Sequence, residues 1–179
     1  MDLKREHLLE EIIELGGVIR VYEQHSSQPK TVVDLHGTKF TDAGLVRLKL
    51  LRRVDVLDLC GTKITDTGLE HLKAWPSLRS LNLEKTHVSD AGLQHISALT
   101  QLQELNLCDT CVTGDGLKHL KGLGQLEELF ICGCNIDDNS LEHLKAFPRL
   151  RKLHMCETGA TDVGVGELER ELPNVKIER

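Results

Sequence analysis

Residues 81–93 read Leu-Asn-Leu-Glu-Lys-Thr-His-Val-Ser-Asp-Ala-Gly-Leu. Two leucines alternate with polar residues, a threonine follows, and a Ser-Asp pair opens a stretch with small and apolar residues at helical spacing. The same stretch returns on both sides. Thr38, Thr62, Thr86, Thr110, Cys134 and Thr158 stand 24 residues apart, inside a cassette Leu-x-x-Leu-x-Leu-x-x-Thr-x-Ile-Thr-Asp-x-Gly-Leu-x-His-Leu. A fixed period of this length predicts a solenoid, because one unit buries its apolar side only by stacking on its neighbours. The expected fold class is α/β: a right-handed solenoid with parallel strands on a concave face and short helices on a convex face.

The phase of the cassette assigns each position. Strand pairs such as Leu57/Leu59, Leu81/Leu83 and Leu105/Leu107 have a period of two, which points both side chains inward and the residue between them outward. On this phase Leu105→Ala should cost about 2–5 kcal/mol. Phe40, Ile64, Val88, Val112, Ile136 and Ala160 are inward turn residues. Each helix opens on a hydroxyl or carboxylate that suits a helix N-cap, with Thr113-Gly114-Asp115 as a weaker one. Each helix then buries a pair such as Leu69/Leu72. Glycines at 44, 68, 92, 116 and 164, with Ser140 as the exception, would let neighbouring backbones approach closely. Ahead of the repeats, residues 2–15 read as an amphipathic helix with Leu8, Leu9, Ile12 and Ile13 on one face, ended by Gly16-Gly17. Residues 18–23 have strand character and 25–29 are turn-like. The predicted organisation is one continuous domain: a helix and strand cap over 1–29, then six repeats and a terminal strand over 30–179.

Composition limits the function classes. The 179 residues carry 22 Lys and Arg against 28 Asp and Glu, a net charge of -6. An acidic chain repels phosphate, so nucleic acid is not an expected partner. No apolar run reaches the roughly 20 residues of a membrane span. The acidic residues among the first 17 do not suit a secretory leader. The expectation is therefore a cytoplasmic monomer whose six cysteines, Cys60, Cys108, Cys111, Cys132, Cys134 and Cys156, are thiols.

The cassette of 81–93 resembles a leucine-rich repeat. Its Thr-Asp-x-Gly-Leu segment, with Cys or Thr where many members carry Asn, is similar to the cysteine-containing subclass found in bacterial intracellular repeat proteins and in F-box substrate receptors. The resemblance covers about residues 30–179 and implies a protein-binding scaffold with a concave contact surface. F-box receptors place an additional helical segment before their repeats, and the 29 residues preceding the first strand here do not look like it.

The concave face follows from phase. Its middle column is Asp34, Asp58, Asn82, Asn106, Phe130, His154 and Glu178. One flank includes Val32, Val56, Ser80, Glu104, Glu128, Lys152 and Lys176, and the other His36, Cys60, Glu84, Cys108, Cys132 and Cys156. Phe130 stands where other units carry Asp, Asn or His, so it is the candidate anchor of a protein partner. Asp58, Asn82, Glu84, Glu104, Asn106, Glu128, Lys152 and His154 are the candidate contacts. The acidic set Asp34, Asp55, Asp58, Glu84, Glu104, Glu127 and Glu128, followed by Arg149, Arg151 and Lys152, suggests a face with two poles.

Two alternatives stand beside this reading. The chain could be an adaptor or substrate-receptor subunit of a larger, ubiquitin-ligase-like assembly, with its N-terminal helix docked elsewhere. Cys108, Cys132 and Cys156, in phase on successive strands, could form a metal or redox site, although parallel side chains do not surround an ion. His71, His95, His119 and His143 make a convex column, but helices about 8–10 Å apart hold them too far apart to share a metal. No phosphate loop, zinc-protease motif or nucleophile–base set is present. The expectation is no catalytic residue, no metal site and no cofactor.

Overall fold

The computed structural model describes residues 3–22 and 29–179. Residues 3–14 form α1 (Leu3–Glu14), and β1 (Val18–Tyr22) follows. The end of the predicted first strand at Glu23, and most of the turn predicted over 25–29, lie outside the described residues. From there strand and helix alternate: β2 (Lys30–Asp34), α2 (Asp42–Leu48), β3 (Val56–Asp58), α3 (Asp66–Leu69), β4 (Ser80–Asn82), α4 (Asp90–Ile96), β5 (Glu104–Asn106) and α5 (Gly114–Leu117). After β6 (Glu128–Phe130) the convex element is a 3-10 helix, Asp138–Ala146, and then come β7 (Lys152–His154), α6 (Asp162–Glu171) and β8 (Lys176–Glu178). Short 3-10 turns also extend α3 and α5.

Among the described residues eight strands form one sheet in sequence order. β1 runs antiparallel to β2, and each later strand is parallel to its predecessor. The parallel register sets Val33, Leu57, Leu81, Leu105, Leu129, Leu153 and Ile177 side by side. All of these except the half-buried Ile177 are withdrawn from solvent, as are the turn residues Phe40, Ile64, Val88, Val112, Ile136 and Ala160. The inward assignments made from phase are therefore the observed core. Trp75, which the phase reading passed over, is also fully buried, and its indole N–H donates to Leu51 O at 2.8 Å. A buried indole needs such a partner.

The N-terminal helix differs from expectation. Leu8 and Ile12 are buried, Leu9 is half-buried, and Ile13 is 70% exposed. Positions 8 and 12 lie one helical turn apart and form the buried stripe; position 13 is rotated about 100° from 12, off that stripe.

Two sets of polar side-chain contacts recur with the repeat, one within each unit and one between units. The Thr38, Thr62, Thr86, Thr110 and Thr158 hydroxyls each donate to the carbonyl three residues earlier, at 2.6–3.0 Å. Cys134 instead reaches the previous repeat and donates to Leu107 O at 3.0 Å. A second ladder uses the aspartates of the helix starts. Asp42 accepts from the Thr65 N–H and hydroxyl, Asp66 from those of Ser89, Asp90 from those of Thr113, and Asp138 from those of Thr161, at 2.6–3.0 Å. These carboxylates thus bind the next repeat rather than capping their own helix.

The ladder also corrects the role of the glycines. A Cβ at Gly68, Gly92, Gly116 or Gly164 would overlap the preceding repeat's Asp42, Asp66, Asp90 or Asp138 carboxylate. Each glycine makes room for an aspartate side chain, not for a neighbouring backbone. Thr113 is a full member of the ladder, and its hydroxyl also accepts from Asp115 N at 3.3 Å. The missing rung falls one repeat later, where Gly114 replaces the aspartate.

Candidate interaction face

The outward strand residues between the inward pairs form a polar, half-buried column. Asp34, Asp58, Asn82 and Asn106 each accept the N–H two residues on, from His36, Cys60, Glu84 and Cys108, at 2.9–3.1 Å. These contacts fix the side chains to their own turns and leave only their remaining polar atoms for a partner. Phe130 and His154 have no oxygen to offer. In their repeats the cysteine one strand back takes over. Cys108 Sγ accepts from Cys132 N at 3.2 Å, and Cys132 Sγ from Cys156 N at 3.1 Å. Sequence reasoning placed these cysteines in one column but missed this structural duty.

Phe130 is not a lone aromatic. Its ring stacks on His154 of the next strand, with centroids 4.2 Å apart and planes 5° from parallel. His154 Nδ1 lies 2.8 Å from Glu178 Oε2. Parallel register sets the stack, because Phe130 and His154 are direct partners across β6 and β7. Both remain partly exposed. The result is a fixed aromatic platform with a carboxylate behind it.

The predicted contacts around it are only partly brought together. Glu128 accepts from Lys152 Nζ at 2.7 Å, and Glu104 from the Ser80 hydroxyl at 3.3 Å. Glu84 meets Lys85 at 3.0 Å and Asn106 Nδ2 at 3.2 Å. At the C-terminal end Arg149 donates to Gln125 at 2.6 Å, and Arg151 is 3.9 Å from Glu127. The basic pole is therefore largely matched by acceptors one repeat back, while the exposed Glu104 is hydrogen-bonded to the Ser80 hydroxyl and lies in the field of Lys152.

Asp55 is not part of the acidic face. It is 1% exposed. Arg53 Nε donates to it at 2.9 Å and Arg53 Nη2 at 2.7 Å, and Thr31 N donates at 2.8 Å. Burial pushes its pKa up, but these hydrogen bonds and the charges of Arg53 and Arg79 outweigh burial and hold it below the ordinary carboxylate value.

The cysteines also depart from expectation. Cys132 and Cys156 are joined in a disulfide. Parallel register brings their Cα atoms to 4.6 Å, inside the span a disulfide bridges. Cys60, expected on the concave flank, is buried, as is Cys134; burial pushes both thiols above their usual pKa. Cys111 is exposed. Among the described residues no group of three or more His, Cys, Asp or Glu is placed to hold a metal ion, and no helix is long and apolar enough to cross a membrane. On the turn side a depression of about 430 Å³, lined in part by Gly114, Asp137 and Ser140, marks the missing rung.

A family model described as a leucine-rich repeat matches residues 76–97, which contain β4 and α4. No curated protein matches the sequence. Among solved structures, an internalin of Listeria monocytogenes superposes with a TM-score of 0.63 at 22% identity, over 74% of this chain and 36% of that one. Internalin C2 of the same species gives 0.60 at 22% identity, over 82% and 69%. A leucine-rich-repeat protein of Leptospira interrogans gives 0.58 at 16% identity, over 74% and 33%. This chain spans about a third of the first and third of these structures and about two thirds of the second. At such identities the likeness is one of fold, and it is the fold that the 24-residue period and the in-register leucine column require. The chain has the leucine-rich-repeat fold.

Proposed function

We propose that the chain is a non-enzymatic interaction module that holds a protein partner on its concave strand face. The observation that carries this reading is the stacked Phe130–His154 pair, held by Glu178 and set in an otherwise polar middle column. A pre-stacked aromatic loses little freedom on binding, which is the property of an interface anchor. Glu104, Glu128 and Lys152 border the pair on one flank, and Asn106 precedes it in the middle column. The exposed carboxylate of Glu104 favours a partner segment that brings a basic side chain, and opposite charge would steer its approach.

The cleanest test replaces Phe130 by the residue that earlier repeats carry. Phe130→Asn removes the stack but supplies an oxygen for Cys132 N, as Asn106 does for Cys108 N. Tagged wild type and Phe130→Asn, matched by circular dichroism and melting, are compared in a pull-down with proteomic readout. Partners lost from the variant support the concave face as the contact surface. Capture of the same partners at the same yield sinks it.

A specific observation also favours the adaptor reading. The cap leaves Leu3 81%, Ile13 70%, Val21 55% and Tyr22 45% exposed. If an assembly docks there, Ile13→Glu removes captured partners that Phe130→Asn retains. Equal capture by Ile13→Glu and wild type would eliminate that reading.

A further inference from the structure

Three cysteines of one column are in two chemical states. Cys132 is bonded to Cys156, whereas Cys108 is a free thiol. The two steps of the column are nevertheless equivalent. β5 pairs with β6 in the same parallel register as β6 with β7. The ladder continues past both strand ends alike, with Asp109 N donating to Cys132 O and Gly133 N to Cys156 O, each at 2.9 Å. The sulfurs repeat the match: Cys108 Sγ accepts from Cys132 N at 3.2 Å, and Cys132 Sγ from Cys156 N at 3.1 Å. Cys108 therefore stands to Cys132 as Cys132 stands to Cys156, one 24-residue translation away. A bond formed across the second step is geometrically open to the first.

We propose that Cys132 is the shared middle sulfur of a two-position disulfide that shuttles between Cys156 and Cys108 by thiol–disulfide exchange. The Cys108 thiolate attacks Cys132 Sγ. The Cys108–Cys132 bond forms as the Cys132–Cys156 bond breaks, and its electron pair leaves on the Cys156 sulfur. That thiolate takes up the proton that Cys108 released. One thiol and one disulfide are present before and after, so neither oxidant nor reductant is consumed. Such displacement needs attacking, central and leaving sulfurs in sequence, the order in which the in-register strands carry Cys108, Cys132 and Cys156.

The two positions differ in what they tie. In one the bond links the repeats that carry Phe130 and His154, the stacked pair. In the other it links the repeats of Asn106 and Phe130 and releases Cys156. The device would thus add or remove a covalent staple beside the aromatic platform, and it stands whether or not a partner binds there. Burial pushes the Cys108 pKa up to about 11, which keeps that sulfur protonated at neutral pH and makes the exchange slow.

The test is disulfide mapping on the whole purified chain. Wild type is held without reductant in anaerobic, chelator-treated buffer, quenched with acid at intervals, alkylated and digested unreduced. Cleavage before Asp109 separates Cys108 from Cys111, and fragment spectra separate Cys132 from Cys134. The Cys156→Ser variant is mapped in parallel after exposure to glutathione disulfide. The expected result is a Cys108–Cys132 cross-link in the variant, and the same cross-link growing in wild type at constant total thiol. A folded variant in which Cys108 and Cys132 both remain alkylatable overturns the proposal. So does a wild type that holds only the Cys132–Cys156 bond throughout. If the variant does not fold, the wild-type time course decides the matter alone.

Discussion

At the position that carries Asp42, Asp66, Asp90 and Asp138, the fourth repeat carries Gly114. At the position that carries Gly68, Gly92, Gly116 and Gly164, the fifth carries Ser140. The residue that would receive the missing rung is Asp137, where other repeats have Thr or Ser. These three departures form one local solution. Ser140 donates its N–H at 3.0 Å and its hydroxyl to the Asp137 carboxylate, and the side-chain bond holds the Asp137 pKa below its ordinary value. A cap within one repeat thus replaces a rung between two. A Cβ at Gly114 would overlap Ser140 Oγ, and a carboxylate there would also approach that of Asp137. Gly114→Asp alone should therefore lower stability by about 1–3 kcal/mol, the usual range for overpacking. Gly114→Asp combined with Asp137→Thr and Ser140→Gly restores the pattern of the other repeats and should recover that loss. Urea unfolding of the single, double and triple variants checks the coupling; additive effects would show that the three positions do not form a unit. In the sequence Gly114 and Ser140 are visible as two separate oddities. Their link spans 26 residues and two repeats, and rules for helix caps, which look only a few residues ahead, do not reach that far.

Among the elements, the N-terminal strands are joined by a group that the strand pattern hid. Asp55 precedes β3 and receives Thr31 N from β2 and the Arg53 guanidinium, while its own carbonyl accepts from Arg79 N and Ser80 N at the start of β4. A carboxylate at that phase reads as surface charge, because alternation predicts direction and not the arrival of an arginine two residues earlier in the chain. Its lowered pKa gives a stability term with a definite sign. A carboxyl group bound more tightly to protons when unfolded stabilises the fold above the ordinary carboxylate pKa of about 4. That contribution disappears as pH falls through the lower folded value. Asp55→Asn should cost about 2 kcal/mol at pH 7, as expected for losing hydrogen bonds to a charged group. The gap between variant and wild type should narrow as pH falls below about 4. Denaturant titrations at pH 7 and pH 3 check this, and a gap of constant size would mean that Asp55 is not the titrating group. The strands themselves were legible, since a period of two within a period of 24 leaves one register. Which helices become 3-10, as at Asp138–Ala146, was not legible, because that depends on how each turn meets its neighbour.

For the whole molecule, stacking repeats means that stability is passed from neighbour to neighbour rather than drawn from a single centre. β8, the last strand described, carries Lys176 and Glu178 on either side of Ile177, charges of the kind that discourage pairing at a sheet edge. On the N-terminal side β1 covers β2, and α1 places Leu8 and Ile12 in the apolar core. That closure was legible from the amphipathic helix and its glycine stop, whereas the exposure of Ile13 depended on the packed angle of the helix. If the cap supports its neighbours in series, Leu8→Ala with Ile12→Ala should remove several kcal/mol locally, since each buried truncation costs about 2–5 kcal/mol. The loss should then be graded along the chain. Amide exchange should accelerate most in β1, β2 and β3 and least in β6 and β7, because opening at one end need not unfold repeats held by their own leucine, threonine and aspartate ladders. The missing aspartate rung at Gly114 adds a second expectation: the gradient should steepen between the fourth and fifth repeats, where the aspartate ladder between units is interrupted. Hydrogen exchange read peptide by peptide tests both parts at once. Uniform acceleration from β1 to β8 would mean that the solenoid opens as one cooperative body, and that the cap stabilises the far end as strongly as the near one.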